Sequence, residues 1–200
     1  MKYMVIALVI FLFGLGNETP AQPLEGRSRI ELRGGSWTGR SATASQTDEA
    51  NVGGMMGAWT WTHWMRETWA VEATVSGVFA DIQSESNLTS FGTNWVMVHS
   101  FMGGLRKDLS SGGVRPYVDA DLGFVLIYGL HTGFGSYPTG ADLTPAVRIG
   151  GGVDFRLGER WMLGAGAGYY GMRSFSEPIG GIENHSGPEF SVGISRLIGG

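Results

Sequence analysis

Residues 144–172, TPAVRIGGGVDFRLGERWMLGAGAGYYGM, carry the pattern that decides the fold. Along residues 146–157, apolar side chains alternate with glycines and charged side chains, which predicts a β-strand with one apolar and one charged face. A second alternating segment follows the tight connection 158–160, so the unit is predicted to be a β-hairpin. The charged face can be buried only if its charges pair, and the glycines leave room there for arginine side chains. One face therefore requires an apolar medium and the other a polar, crowded interior.

The composition bounds the class of protein. The chain has 200 residues, with 34 glycines, no cysteine, 16% charged and 12% aromatic residues, which suits a single domain. Without cysteine there is neither a disulfide framework nor thiolate chemistry. The formal net charge is -4 and no basic block occurs, so nucleic acid is excluded as a partner.

The amino terminus predicts export. Lys2 precedes an unbroken apolar run, residues 4–15, which is followed by a polar segment that ends at Pro20 and Ala21. The run is shorter than the roughly 20 residues of a membrane-spanning helix, so we predict a signal peptide over residues 1–21, cleaved after Ala21. An uncleaved anchor helix is the alternative. Residues 22–27 are predicted to be a flexible lead, and residues 28–200 to form the folded domain.

Eight alternating segments follow the lead, and the connections between them alternate between long and short. The segments cover 28–37, 52–65, 68–80, 91–107, 115–128, 146–157, 161–170 and 188–198, with the long connections at 38–51, 81–90, 129–143 and 173–187. This rhythm predicts an all-β fold, an eight-stranded antiparallel up-and-down transmembrane β-barrel with short periplasmic turns. In the fourth segment, the face that carries Trp95 is expected to point outward. A soluble, lipocalin-like barrel is the alternative.

Aromatic residues near the segment ends predict two girdles at the membrane interfaces. The girdle beside the short turns is predicted to contain Trp64, Trp69, Tyr117 and Trp161. The opposite girdle is predicted to contain Phe79, Tyr128 and Tyr169.

Two phrases in the chain resemble strands of a known family. Residues 115–123, RPYVDADLG, and residues 150–157, GGGVDFRL, are similar to strand phrases of the small eight-stranded outer-membrane β-barrels, the OmpA- and OmpX-type proteins with an outer membrane protein beta-barrel domain. The resemblance covers the whole mature chain and implies a monomer in the bacterial outer membrane. It implies outer-membrane lipid and the barrel-assembly machinery as partners. The chain departs from the family at its last residues, Gly199 and Gly200, where such barrels usually carry an aromatic residue.

The candidate site consists of charged residues at the alternate strand positions that are expected to face the barrel interior, which we call the inward parity. They are Arg33, Glu72, Asp119, Asp121, Arg148, Asp154, Arg156 and Glu189. The interior of an eight-stranded barrel is just wide enough for side chains, so isolated charges would be unfavourable there. We predict a salt-bridged plug in which Arg148, Asp154 and Arg156 face Asp119 and Asp121. A narrow ion path is the alternative.

Other constellations do not predict catalysis. Residues 166–171 satisfy a G-x-G-x-x-G string, but no helix follows, so a nucleotide site is not expected. The four histidines, His63, His99, His131 and His185, lack ligand spacing, so neither a metal nor a cofactor is expected. His185 and Ser186 are adjacent, whereas the His/Ser pair of lipid A deacylases lies two residues apart, so these side chains should diverge. No catalytic residue is predicted.

The functional prediction follows from these patterns. We predict a non-catalytic outer-membrane barrel with a structural or surface-interaction role through its long loops, where an external ligand could bind. The alternatives are a lipid-modifying enzyme of the lipid A deacylase kind and a small pore.

Overall fold

The computed structural model describes residues 23–40, 51–82, 93–132, 137–174 and 184–199. Its strands are β1 (Ser28–Arg40), β2 (Asn51–Arg66), β3 (Trp69–Ile82), β4 (Thr93–Asp108), β5 (Val114–Thr132), β6 (Tyr137–Leu157), β7 (Trp161–Met172) and β8 (Gly187–Ile198). Each strand pairs antiparallel with its chain neighbours, and β8 pairs with β1, so the sheet closes into a barrel. The predicted eight-stranded up-and-down barrel is confirmed.

The signal peptide over residues 1–21 lies outside the described residues and stays a prediction. Within the described ranges, no helix has the length and apolar character needed to cross a membrane.

The two ends of the barrel differ in their connections. Three short connections, 67–68, 109–113 and 158–160, join strands at one end, which we call the turn end. The other is the loop end. The predicted long loop at 129–143 is wrong, because β5 and β6 continue to pair across it, with Leu130 opposite Pro138. A register shift between Tyr128 and Leu130 accommodates the irregular sequence, and backbone pairing extends the hairpin where composition indicated a loop.

The outward face of the barrel is apolar on every strand. Leu122 and Ile149 are 70% and 68% exposed, and large apolar side chains of the other six strands are also exposed: Leu32, Met55, Val75, Phe101, Leu163 and Val192. On β4 the residues that alternate with the Trp95 face, including Val96 and Val98, are buried, as predicted. The period of two thus separates an apolar outer surface from the lumen on each strand.

The lumen changes character along the barrel axis. On β5 the inward residues are Asp119 and Asp121 toward the turn end, and then Val125 and Ile127 toward the loop end. Apolar residues from β1 to β4, β6 and β7 join Val125 and Ile127, and together they form one cluster: Trp37, Met56, Val78, Ala80, Val96, Val98, Met102, Val125, Ile127, Ala146, Tyr170 and Met172. The predicted charged interior is therefore confined to the turn half, and in the other half apolar side chains predominate around the buried Ser76–Ser100 hydroxyl pair. Apolar side chains can fill the other half because they need no hydrogen-bonding partners.

A small apolar cluster closes the turn end. It contains Leu24, Trp64, Ala70, Met162 and Leu197. The backbone N–H of Leu24 donates to Glu67 Oε2 across 2.8 Å, and that of Gly26 donates to the Trp64 carbonyl across 2.9 Å. Residues 23–27, expected to be a flexible lead, instead fold against the barrel because Leu24 completes this cluster and is fully buried.

Candidate functional site: the charge clusters of the lumen

The first charge cluster lies in the turn half of the lumen and is centred on Asp154 of β6. Asp154 Oδ2 accepts from Arg29 of β1 and, at 2.6 Å, from Arg106 of β4. Arg29 also pairs with Glu31 at 3.1 Å, and Arg106 pairs with Asp108 at 2.6 Å. A single carboxylate therefore joins strands from distant parts of the barrel wall. We call this group the turn-side cluster.

The turn-side cluster is dense in ion pairs and hydrogen bonds. It contains four arginines and four buried carboxylates: Arg29, Arg33, Arg106 and Arg115 with Glu31, Glu72, Asp108 and Asp154. Arg115 also pairs with a fifth carboxylate, the half-buried Glu67, at 3.1 Å. Asp108 also accepts from the Trp64 indole at 2.9 Å, and Glu72 accepts from Thr62 at 2.8 Å. The guanidinium carbon of Arg106 lies 3.7 Å from the centre of the Tyr117 ring. Such dense pairing offsets the desolvation of buried charges.

The second charge cluster lies between the turn-side cluster and the apolar residues near the loop end, and we call it the loop-side cluster. It has one arginine and three carboxylates. Arg148 Nη1 donates to Asp119 at 2.6 Å and to Asp121 at 3.0 Å, and Arg148 Nε donates to Glu189 at 2.5 Å. The four side chains are each at most 6% exposed. Arg148 therefore ties β5 and β8 to β6 from inside the barrel, and its loss would leave three carboxylates close together.

Glycines on the lumen face make room for these charges. A Cβ on Gly150 would lie 2.5 Å from Asp119 Oδ1, and one on Gly168 would lie 2.9 Å from Glu189 Oε1 and 3.1 Å from Arg148 Nη2. A Cβ on Gly164 would lie 2.7 Å from Asp154 Oδ1. The G-x-G-x-x-G string of β7 thus has a packing role, because Gly168, one of its two inward glycines, provides the space that the Arg148 side chain fills.

The structure separates the predicted site residues into the two clusters. Asp119, Asp121, Arg148 and Glu189 meet in the loop-side cluster, and Arg33, Glu72 and Asp154 lie in the turn-side cluster. Asp154 faces Arg29 and Arg106, where we had expected Asp119 and Asp121. Arg156 is placed at the turn end, where its Nε donates to the Gly158 carbonyl across 3.1 Å. It occupies the last inward position of β6 before the turn, so it lies closer to the turn end than the two charge clusters do.

Several residues of the turn-side cluster were not predicted as site residues. They are Arg29, Glu31, Arg106, Asp108 and Arg115. Trp64 and Tyr117, which were predicted as girdle residues, contact the same cluster. A signal was present in the sequence for most of them, because they share the inward parity of residues that were predicted. Arg29 and Glu31 alternate in step with Arg33, and Tyr117 with Asp119.

The predicted girdles are partly wrong. Trp64 and Tyr117 are 0% and 3% exposed and belong to the lumen, because their parity is inward even though they lie near the short turns. Their polar atoms and ring faces meet charged groups there. The remaining girdle residues lie on the outer face. The Tyr128 hydroxyl lies 3.2 Å from His99 Nε2, and the other four side chains are exposed: Phe79, Trp69, Trp161 and Tyr169.

His185 and Ser186 have different surroundings in the structure. His185 is buried and stacks on Trp37, with 6.2 Å between ring centres. The Ser186 hydroxyl accepts from the Met172 backbone N–H at 2.9 Å. The two side chains therefore make separate contacts, as their adjacency in an extended segment predicts. Among the described side chains, no group of three His, Cys, Asp or Glu could hold a metal ion.

The barrel geometry is shared with solved outer-membrane proteins. Neisserial surface protein A has a TM-score of 0.60 at 13% identity, and the match covers 86% of this chain and 97% of that one. OprG from Pseudomonas aeruginosa has a TM-score of 0.58 at 13% identity, covering 89% and 98%. Ail of Yersinia pestis, the attachment invasion locus protein, has a TM-score of 0.54 at 13% identity, covering 87% and 99%. No protein-family model and no curated protein matches the chain.

Proposed function

We propose that this chain is an integral protein of the bacterial outer membrane, a monomer that is inserted by the barrel-assembly machinery and has a non-catalytic structural or surface-interaction role. The observation that carries the proposal is the apolar outer face present on all eight strands. In water, a contiguous apolar surface of this extent would promote aggregation, whereas lipid solvates it. The fold shared with outer-membrane barrels supports the same location.

The filled lumen favours a closed barrel over a pore. The turn-side cluster, the loop-side cluster and the apolar residues near the loop end succeed one another along the axis. An ion crossing the barrel would have to break several charge-assisted hydrogen bonds and then pass an apolar section. The proposed role therefore resides outside the lumen, at the connections 41–50, 83–92 and 175–183, which join strands at the loop end. Binding residues commonly lie on loops that a rigid scaffold positions.

Two measurements test this proposal. Protein refolded into lipid vesicles should migrate differently on gels before and after boiling, and protease should cleave it only at the loop-end connections. Planar bilayers that contain the folded protein should show no conductance steps. A protein that remains a soluble monomer without detergent would contradict the membrane location, and regular conductance steps would favour the pore.

The enzyme alternative has its own test. Cells that produce the chain should have the same lipid A profile as cells that produce the Ser186→Ala variant, because the Ser186 hydroxyl bonds to the backbone of β7. A loss of acyl chains from lipid A that depends on Ser186 would contradict the non-catalytic role.

A further inference from the structure

A groove crosses the outer face of the barrel at the turn end, where β1, β7 and β8 meet. It has a volume of about 570 Å³, and its lining includes Arg27, Ile30, Leu32, Arg160, Trp161, Ile194 and Arg196. The wall toward the barrel centre is apolar, with Leu32 paired opposite Ile194 and both side chains exposed. The groove therefore has an apolar surface that is accessible from the medium outside the barrel.

Cationic side chains gather at the turn-end side of this groove. Arg196 lies between Ile30 of β1 and Trp161 of β7 in the strand register, and its guanidinium carbon is 5.9 Å from the centre of the Trp161 ring. Arg160 and Arg196 are both exposed. Three arginines line the groove, and the neighbouring turn contributes one acid, Glu159. The local charge is therefore positive even though the whole chain carries a net charge of -4.

The backbone around the cationic side of the groove is held in place by hydrogen bonds. Arg27 Nε donates to the Gly199 carbonyl across 2.8 Å, which ties the lead to the end of β8. The N–H of Leu197 donates to the Arg160 carbonyl across 2.8 Å, which ties β8 to the β6–β7 turn. The backbone at Arg160 is therefore tied to β8, and Arg27 is held against the end of the same strand.

An apolar channel beside arginines and an exposed tryptophan has the chemistry of a membrane–water interface. Arginine is unfavourable on the lipid-facing surface of a barrel at mid-membrane and tolerated near the interface. Tryptophan is enriched at the same level. On β1 the apolar wall runs from Ile30 to Leu32, and this two-residue spacing gives it a length of about 7 Å from the cations toward the membrane centre.

We propose that this groove binds one anionic glycerophospholipid of the periplasmic leaflet, an inference that rests on the proposed membrane location. The phosphate lies among Arg160, Arg196 and Arg27, and one acyl chain follows Ile30, Leu32 and Ile194. Arginine guanidinium groups pair with phosphate through charge-assisted hydrogen bonds. Trp161 covers the glycerol region at the interface. The groove thus selects lipids with a net negative headgroup over zwitterionic lipids that have the same chains.

The test is native mass spectrometry of the folded barrel in non-ionic detergent, with phosphatidylglycerol or phosphatidylcholine of identical chains added. We expect one tightly bound phosphatidylglycerol and no comparable phosphatidylcholine adduct. The Arg160→Gln/Arg196→Gln variant should bind phosphatidylglycerol about tenfold more weakly, because each basic side chain near a lipid surface contributes appreciably. Glycerol 3-phosphate should not displace the lipid, because it lacks the acyl chain. Displacement by glycerol 3-phosphate, or equal adducts of the two lipids, would contradict the proposal.

Lys107 supplies a matched control at the same end of the barrel. Its Nζ lies 4.7 Å from the centre of the exposed Trp69 ring, as a cation beside an interfacial tryptophan, but neither residue lines the groove. Lys107→Gln should therefore leave the phosphatidylglycerol adduct unchanged. An equal loss in Lys107→Gln and in the double arginine variant would show general electrostatic attraction and contradict a site. Heat-dependent gel mobility of each variant confirms that the barrel is folded, so failure of lipid selectivity is distinguishable from failure of the membrane fold.

Discussion

The indole N–H of Trp64 donates to Asp108 Oδ2 across 2.9 Å inside the closed turn end of the barrel. Arg106 and Arg115 bind the same carboxylate, so Asp108 links an aromatic residue of β2 to arginines of β4 and β5. The guanidinium groups of Arg29 and Arg106 lie 5.4 and 5.8 Å from the Trp64 ring centre. Trp64 therefore joins the apolar cluster of the turn end to the charges above it.

Trp64→Phe should destabilise the barrel by about 1–3 kcal/mol, because a buried charged acceptor loses one donor. Trp69→Phe, which changes an exposed ring on the outer face, should stay within about 0.5 kcal/mol. Urea unfolding of protein in vesicles measures both. Quenching of tryptophan fluorescence by brominated lipid chains should decrease in Trp69→Phe and persist in Trp64→Phe. The reverse quenching pattern would show that Trp64 faces lipid and belongs to the girdle.

Arg148→Gln should be among the most damaging single changes in the lumen. Removing the arginine leaves Asp119, Asp121 and Glu189 buried without their cation, and breaking a buried pair in this way costs about 3–5 kcal/mol. The exposed Arg66 supplies a control, since Arg66→Gln should change stability by less than about 0.5 kcal/mol. Adding Glu189→Gln to Arg148→Gln should recover part of the loss, because the double variant carries one fewer uncompensated charge. If the stability losses of the two single variants simply add in the double variant, Arg148 and Glu189 do not interact as the cluster requires.

Gly168→Ala tests whether the lumen glycines provide space for charge. The new methyl group would lie 2.9 Å from Glu189 Oε1 and 3.1 Å from Arg148 Nη2, both of which are held in the loop-side cluster. Overpacking should destabilise the barrel by about 1–3 kcal/mol. The control is Gly57→Ala on the outer face, where a Cβ meets nothing within 4 Å. Equal unfolding midpoints for the two variants would contradict a spacing role for Gly168.

Leu24→Ala tests whether the lead belongs to the folded domain. Leu24 is fully buried beside Trp64 and Met162, so truncating it should cost about 2–5 kcal/mol. Leu109 in a short turn is 61% exposed, and Leu109→Ala should be nearly neutral. The temperature at which gel mobility changes provides the readout. Wild-type behaviour of Leu24→Ala would show that the lead can leave the barrel without loss.

The errors at the girdles and in the charge network have one cause. Trp64 and Tyr117 were assigned from their distance to the short turns, although their inward parity was readable from Thr62 and Asp119. Arg156 has the inward parity of Asp154, but it lies so near the turn that its Nε meets the Gly158 carbonyl. The position of a side chain in a barrel depends on both its parity and its height along the axis. The girdle prediction used height alone, and the prediction for Arg156 used parity alone.

The sequence by itself determined the strand count, the antiparallel order and the apolar outer face, because the alternation of period two and the short turns are local features of the chain. Only the tertiary structure decided which charges meet. Asp154 contacts Arg29, which is 125 residues away in the chain, because closing β8 onto β1 brings those strands around a common lumen. Tertiary structure also made the loop half of the lumen apolar, since Val96 and Ile127 converge only after the register and tilt of every strand are set.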